Sequence, residues 1–290
     1  MPGGYAVNIF TLGVPNTIII DDYMPFFDGK PMAAKLADDG SVWPMVLEKA
    51  LAKLRGNYLH ISGGDNAQGV RYMRGGPSTH VSTIFKTPEQ IWDFIAEHLS
   101  NGDAVTASSM SGDDSYTDDW GIVMGHAYTI AGIKTLSDGT KLIRARNPWG
   151  KDEYKGDFGC DSEKWTDKLV NEVPDAKNHE DGYIYVPIQQ FKVSFRAINV
   201  NYNTKRMFMD YYLKFDDEPK MKVTEQSKEV LKKMAKDCGE GCIIHKIHVV
   251  STVAQKVWFS ISTYSESTMP ESCTEDAVRL WHTIYPNPYG

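Results

Sequence analysis

Two helical periodicities and several strand-length apolar runs divide the chain. In SVWPMVLEKALAKLRGNYLHISGG, Val46, Leu47, Ala50, Leu51 and Leu54 recur at three- and four-residue intervals, so they share one helical face, and Gly56 supplies a stop. TPEQIWDFIAEHLSNG carries its own start signal: Thr87 at the cap, Pro88 at the first helical position and Gln90 three residues after the cap. Ile91, Phe94, Ile95 and Leu99 form its core-facing stripe, and Asn101-Gly102 ends it. Residues 5–10 and 17–21 read as a strand pair across a turn around Gly13-Val14-Pro15-Asn16. Residues 104–110 read as a further strand, and the acidic loop 111–119 leads to a central hairpin.

That hairpin is GHAYTIAGIKTLSDGTKLIRARNPWG, with strands at 126–133 and 141–147 and Ser137-Asp138-Gly139 in the turn. The first residue of one strand and the last residue of its antiparallel partner lie at the same end in space, so His126 and Asn147 can meet. An imidazole held by a side-chain amide is the orienting half of a cysteine protease, in which the His takes a thiol proton and the amide fixes its tautomer. Taken singly, each residue also fits a structural role: a His at a strand start is usually a satisfied packing residue, and Asn-Pro-Trp-Gly is an ordinary strand exit.

Taken together, GHAY, the hairpin and RNPWG resemble the corresponding segment of the calpains, calcium-dependent papain-like cysteine endopeptidases. The resemblance extends through IDDYMPFFDGKP, the first helix, ISGGDNAQGVRYMRGG as a glycine-rich loop after it, and EDGYIYVPIQQFKVSFRAINVN as the last core strands. It implies that His126 is the catalytic base, Asn147 its orienter and Trp149 the indole that shields the pair from water. It also implies an α+β fold. Residues 1–200 would form a papain-like half core of antiparallel strands with two main helices, the His/Asn half, in which the first helix packs across the centre. Residues 201–290 would form a short β-rich domain resembling the calpain β-sandwich, with strands near 206–215, 243–251 and 256–263 and a helix near 224–237.

The resemblance further implies a calcium site with Glu153 and Asp181 as ligands. Calcium needs several oxygen ligands. Cys160 falls where one ligand acid is expected, Asp161 comes one residue late, and Tyr183 replaces another acid, so charge and coordination are both reduced. The paired acids Asp21 and Asp22 suit hydrogen bonds to loop amides better than a metal. Cys238, Cys242, His245 and His248 have zinc-like types, but IIHKIHVV reads as a strand, on which residues three apart point to opposite faces.

Composition then narrows the function. With 41% hydrophobic residues, 24% charged residues and a formal net charge of −7, the chain is an ordinary globular sequence. It lacks the basic clusters of a nucleic-acid or anionic-membrane binder. No apolar run approaches a membrane span, and the N-terminus has no signal-peptide pattern. The four cysteines are too sparse for a disulfide framework and favour a reducing, cytoplasmic setting.

All four cysteines follow His126, whereas a papain-like nucleophile should precede it. The segment bearing the thiol and its oxyanion-hole partner is expected upstream of Met1. The sequence alone therefore favours a non-catalytic protein-interaction module with a protein partner. A calpain-type endopeptidase whose Cys half comes from another chain or an upstream segment, with a peptide substrate, is the enzymatic alternative. A structural subunit of a cytoskeletal or ciliary assembly is the third.

Overall fold

The computed structural model describes residues 3–11, 14–37, 39–151, 153–179 and 181–203. In chain order these form β1 (Gly4–Thr11), β2 (Val14–Asp21), β3 (Phe26–Phe27), β4 (Lys30–Pro31), α1 (Trp43–Arg55), α2 (Asn66–Arg74), β5 (Ser78–Ser82) and α3 (Pro88–Ser100). There follow β6 (Ala104–Ser109), β7 (Ala127–Thr135), β8 (Lys141–Arg146), α4 (Asp167–Glu172), β9 (Tyr183–Pro187), α5 (Ile188–Ser194) and β10 (Phe195–Asn201). The fold is α+β. Among the described residues α1 and α3 are the longest helices, the two that periodicity predicts. None of these helices is long and apolar enough to cross a membrane.

One antiparallel six-stranded sheet, in the order β5-β10-β6-β7-β8-β9, carries the main core. The strand last in the chain, β10, lies between β5 and β6, so the sheet is complete only when residues some 90–120 positions apart have paired. Ile91 and Ile95 of α3 pack on Val105 and Ala107 of β6, Ile130 of β7, Ile143 of β8 and Ile198 of β10. The start of α3 is the expected capping box: the Gln90 amide donates to the Thr87 hydroxyl at 3.2 Å and the Thr87 amide to Gln90 Oε1 at 3.0 Å.

A second, smaller core holds α1 to the β1–β2 hairpin through Ile9, Ile20, Val46 and Ala50. Lysines of α1 fill the free edge of β2. Lys53 Nζ donates to the Ile19 carbonyl at 2.7 Å, and Lys49 Nζ engages Asp21 and the Tyr23 carbonyl. The helix thus lies on the hairpin rather than across the centre of the large sheet. Val14, Pro15 and Asn16, expected in the turn, are paired residues of β2, so the hairpin reverses more tightly than its sequence suggests.

Two segments differ from the expected elements. The glycine-rich stretch after α1 contains a helix, α2, rather than only a loop. Asp65 accepts from the Gln68 amide at 2.8 Å, an Asp-x-x-Gln cap, and Gly75 stops the helix at φ 68°. Within the segment expected as the last core strands, a short helix, α5, separates β9 from β10, and its Ile188 and Phe191 point into the core. The β-rich domain expected from residue 201 and the set Cys238, Cys242, His245 and His248 lie, past residue 203, outside the described residues.

Phe191 is fully buried and stacks on Phe195 with ring centroids 4.4 Å apart. Phe191→Ala leaves a cavity where the α5 turn meets the sheet. It is expected to lower unfolding stability by about 3–5 kcal/mol in chemical denaturation, with an unchanged denaturant slope.

Candidate functional site

The site begins at a glycine that no other residue can replace without strain. Gly125 has φ 58°, and a Cβ there would fall 2.1 Å from the Gly112 carbonyl oxygen. Its amide donates to the Met110 carbonyl at 2.7 Å, which aims the chain into β7 and sets His126 at the strand's mouth. Asn147 comes directly after β8. Its amide donates to the Gly182 carbonyl at 2.8 Å. Gly182 (φ 71°) must itself be a glycine, since a Cβ would lie 2.8 Å from both the Asn147 carbonyl oxygen and Gly150 Cα.

These two anchors bring the side chains together. His126 Nε2 lies 3.0 Å from Asn147 Oδ1, and the Asn147 residue is 3% exposed. The amide orientation is settled by the chain itself. The Trp149 backbone N–H donates to the same Asn147 atom at 3.1 Å, so that atom is the carbonyl oxygen, an acceptor only. His126 Nε2 must then carry a proton, and in the neutral ring Nδ1 holds the free lone pair. The Trp149 ring lies 4.3 Å from the imidazole, tilted at 45°, and the Tyr128 ring meets it edge-on at 5.3 Å. Tyr128 is fixed in turn, because its hydroxyl accepts from the Val123 amide at 3.0 Å.

Such a pair can take a proton at Nδ1 and return it while the amide holds the ring, which is general acid–base work. It supplies no covalent bond of its own. Cys160 is buried, with its thiol donating to the Asn178 carbonyl at 3.4 Å.

The acids expected as calcium ligands do not converge among the described residues. Both Asp181 carboxylate oxygens already accept, one from the Tyr183 amide and one from Asn178 Nδ2, each at 2.9 Å. Glu153 is exposed, and Asp161 pairs with His179 at 3.3 Å. Among the described residues no three His, Cys, Asp or Glu side chains converge as metal ligands. Asp21 and Asp22 accept from the amides of Tyr23 and Gly3 at 2.9 Å, the loop-amide role.

Gly182 and Tyr128 support the site without standing out in the sequence. Tyr128 could have been found as the residue two positions from His126 on the same strand face. Gly182 had only its place in Asp-Gly-Tyr.

The family model described as calpain family cysteine protease matches residues 1–202. The chain is 30% identical over 208 residues to the calpain-type cysteine protease DEK1 of Zea mays, covering 68% of this chain and 10% of that protein. It is 29% identical over 208 residues to the calpain-type cysteine protease ADL1 of Oryza sativa subsp. japonica, with the same coverage. To the calpain-1 catalytic subunit of Homo sapiens it is 29% identical over 206 residues, 68% of this chain and 29% of that protein. The chain thus spans a tenth of these plant relatives and under a third of the human one.

β8 and β9, which deliver Asn147 and Gly182, are latched by Asp175. It pairs with the Arg144 guanidinium and accepts from the Tyr185 hydroxyl at 2.7 Å, while Arg144 lies 3.6 Å above the Tyr183 ring. Partial burial opposes ionisation of Asp175, but Tyr185 and Arg144 outweigh it and hold the carboxyl below its ordinary range. A depressed native pKa gives stability that is present above the unfolded-state value, about 3.9, and is lost as pH falls through the native one. Asp175→Asn should therefore be less stable than the parent chain at neutral pH. The gap should close below about pH 4 in denaturant titrations across pH.

Proposed function

The chain belongs to the calpain family of cysteine proteases, and we propose from this that it carries the base-bearing half of a cysteine endopeptidase site. The thiol would come from outside these 290 residues, in which every cysteine follows His126. The observation that carries the reading is the shared acceptor, Asn147 Oδ1, which holds His126 with Nε2 protonated and Nδ1 open. A thiol delivered to Nδ1 would lose its proton there, and the thiolate would attack the scissile carbonyl. The imidazolium would then protonate the leaving amine, and water would hydrolyse the acyl-enzyme with His126 again as base. Asn147 orients the ring through the cycle, and Trp149 covers one side of it.

A second reading, a docking module without chemistry, draws on the apolar arm between β2 and α1. Tyr23, Phe27 and Met32 are exposed there and Trp43 at the start of α1, and Trp149 is 43% exposed at the site. Large apolar side chains left exposed are the raw material of an interface.

The two readings separate when the chain is purified from its native source together with whatever binds it stoichiometrically. The protease reading expects peptide hydrolysis that is blocked by thiol alkylation. His126→Ala should reduce it by about 100-fold or more, the scale of general base catalysis. An assembly that cleaves no peptide, or cleaves equally well with His126→Ala, would leave the docking module as the function.

A further inference from the structure

The strand pair that carries His126 departs from a regular ladder at one residue. Ser109 of β6 stands opposite His126, one step beyond the Ser108 and Ala127 pair. A regular antiparallel pair at this place would exchange both backbone hydrogen bonds. Only one is made in that form, from the Ser109 amide to the His126 carbonyl at 3.0 Å. The His126 amide instead donates to the Ser109 side-chain oxygen at 2.9 Å, and that hydroxyl donates to the His126 carbonyl at 3.1 Å. The Ser109 carbonyl, which the His126 amide would ordinarily use, accepts from Arg196 Nε at 3.2 Å. Arg196 is the extra residue where β10 bulges against β6, between Phe195 opposite Ser109 and Ala197 opposite Ser108.

We propose that Ser109 is the positioning residue for His126, with the Arg196 bulge as the element that makes its hydroxyl necessary. The inference rests on His126 being the base. Arg196 occupies the Ser109 carbonyl, so the His126 amide lacks its ladder acceptor although the two segments stay joined one residue on, through the Gly125 amide and the Met110 carbonyl. The hydroxyl then replaces the missing ladder acceptor and clasps the His126 backbone from both polar groups. Ser109 is 1% exposed, so water does not substitute for it. The His126 ring is held from its other end by Asn147, and the clasp fixes the Cα from which the ring reaches that oxygen at 3.0 Å. A backbone shift of a few tenths of an ångström at His126 would lengthen this bond and release the tautomer.

The test uses the full chain and NMR, so its outcome does not depend on hydrolysis. In the parent chain the His126 amide should be protected from hydrogen exchange, and its ring should show the Nε2–H form by long-range proton–nitrogen correlation. Ser109→Ala is expected to speed exchange at His126 at least tenfold while leaving Ile130 in mid-β7 protected, and to convert the ring to a mixture of tautomers. Ser109→Thr, which keeps the hydroxyl, should restore both signals. In the thiol-completed assembly Ser109→Ala should lower kcat about ten- to a hundredfold with KM unchanged. The proposal is overturned if Ser109→Ala keeps the parent exchange rate and tautomer at His126. Equal loosening of His126 and Ile130 that threonine fails to restore would overturn it too, as a general packing defect. If the NMR changes appear but His126→Ala does not affect cleavage, the clasp stands and the protease reading fails.

Discussion

Asn147 Oδ1 accepts two hydrogen bonds, one from a backbone amide two residues on and one from an imidazole twenty-one residues back. The first bond gives the second its meaning. Without the Trp149 amide, the Asn147 side chain could present either its oxygen or its nitrogen to the ring, and His126 could hold its proton on either side. With it, the tail of the hairpin fixes the identity of the acceptor, the acceptor fixes the tautomer, and the tautomer fixes which nitrogen is free to do chemistry. A carbonyl already bonded to a backbone N–H is also costly to turn away when it is 3% exposed, because the desolvated group would be left without partners.

The rest of the fold brings the two ends of one hairpin to this point and holds them. β7 and β8 supply the register, but neither His126 nor Asn147 lies inside a named strand. Each therefore depends on a neighbour for the backbone bonds that a strand interior would give. Asn147 takes its bond from Gly182, just ahead of β9, and His126 takes its bonds from Ser109 at the end of β6. The inserted strand β10 closes the arrangement from the far side through Arg196. Local hairpin formation can bring the pair near each other, whereas its fine placement waits for contacts between residues far apart in the chain.

What could be read from the sequence follows the range of the interactions. The His126–Asn147 meeting was legible because antiparallel geometry alone places strand ends together, and α3 because Thr87, Pro88 and Gln90 are a local signal. α2 was hidden by Gly63, Gly64 and Gly69, which suggest a loop, although Asp65 and Gln68 form a cap with the same spacing as Thr87 and Gln90. α5 was absorbed into the strands around it, yet Ile188 and Phe191 have the helical three-residue spacing that separates it from them. β5, Ser78–Ser82, has no apolar alternation to announce it and exists because β10 pairs with it from more than a hundred residues away. Ser109 is a serine among small polar residues, and its part depends on a bulge in a strand that no local pattern reveals.

The same difference in range bears on the choice between half-site and docking module. A docking surface needs exposed apolar area, to which Tyr23, Phe27, Met32, Trp43 and Trp149 each contribute in either reading. It has no use for a defined tautomer. Packing alone would be served by an imidazole against Tyr128 with its polar atoms left to solvent, since the ring is only half-buried. Instead two separated segments meet at this histidine: the end of β6 on its backbone, and the exit of β8, which sets the Asn147 amide oxygen on Nε2 and the Trp149 indole beside the ring. That arrangement restrains rotation of the ring and the position of its proton, two properties that matter when a proton is to be transferred. Of the acids expected as calcium ligands, Asp181 accepts from the Tyr183 amide and Asn178 Nδ2, Asp161 lies 3.3 Å from His179, and Glu153 is exposed. The restraint the fold places on His126, on its backbone from β6 and on its ring from the strand exit, is therefore one that a docking surface does not require.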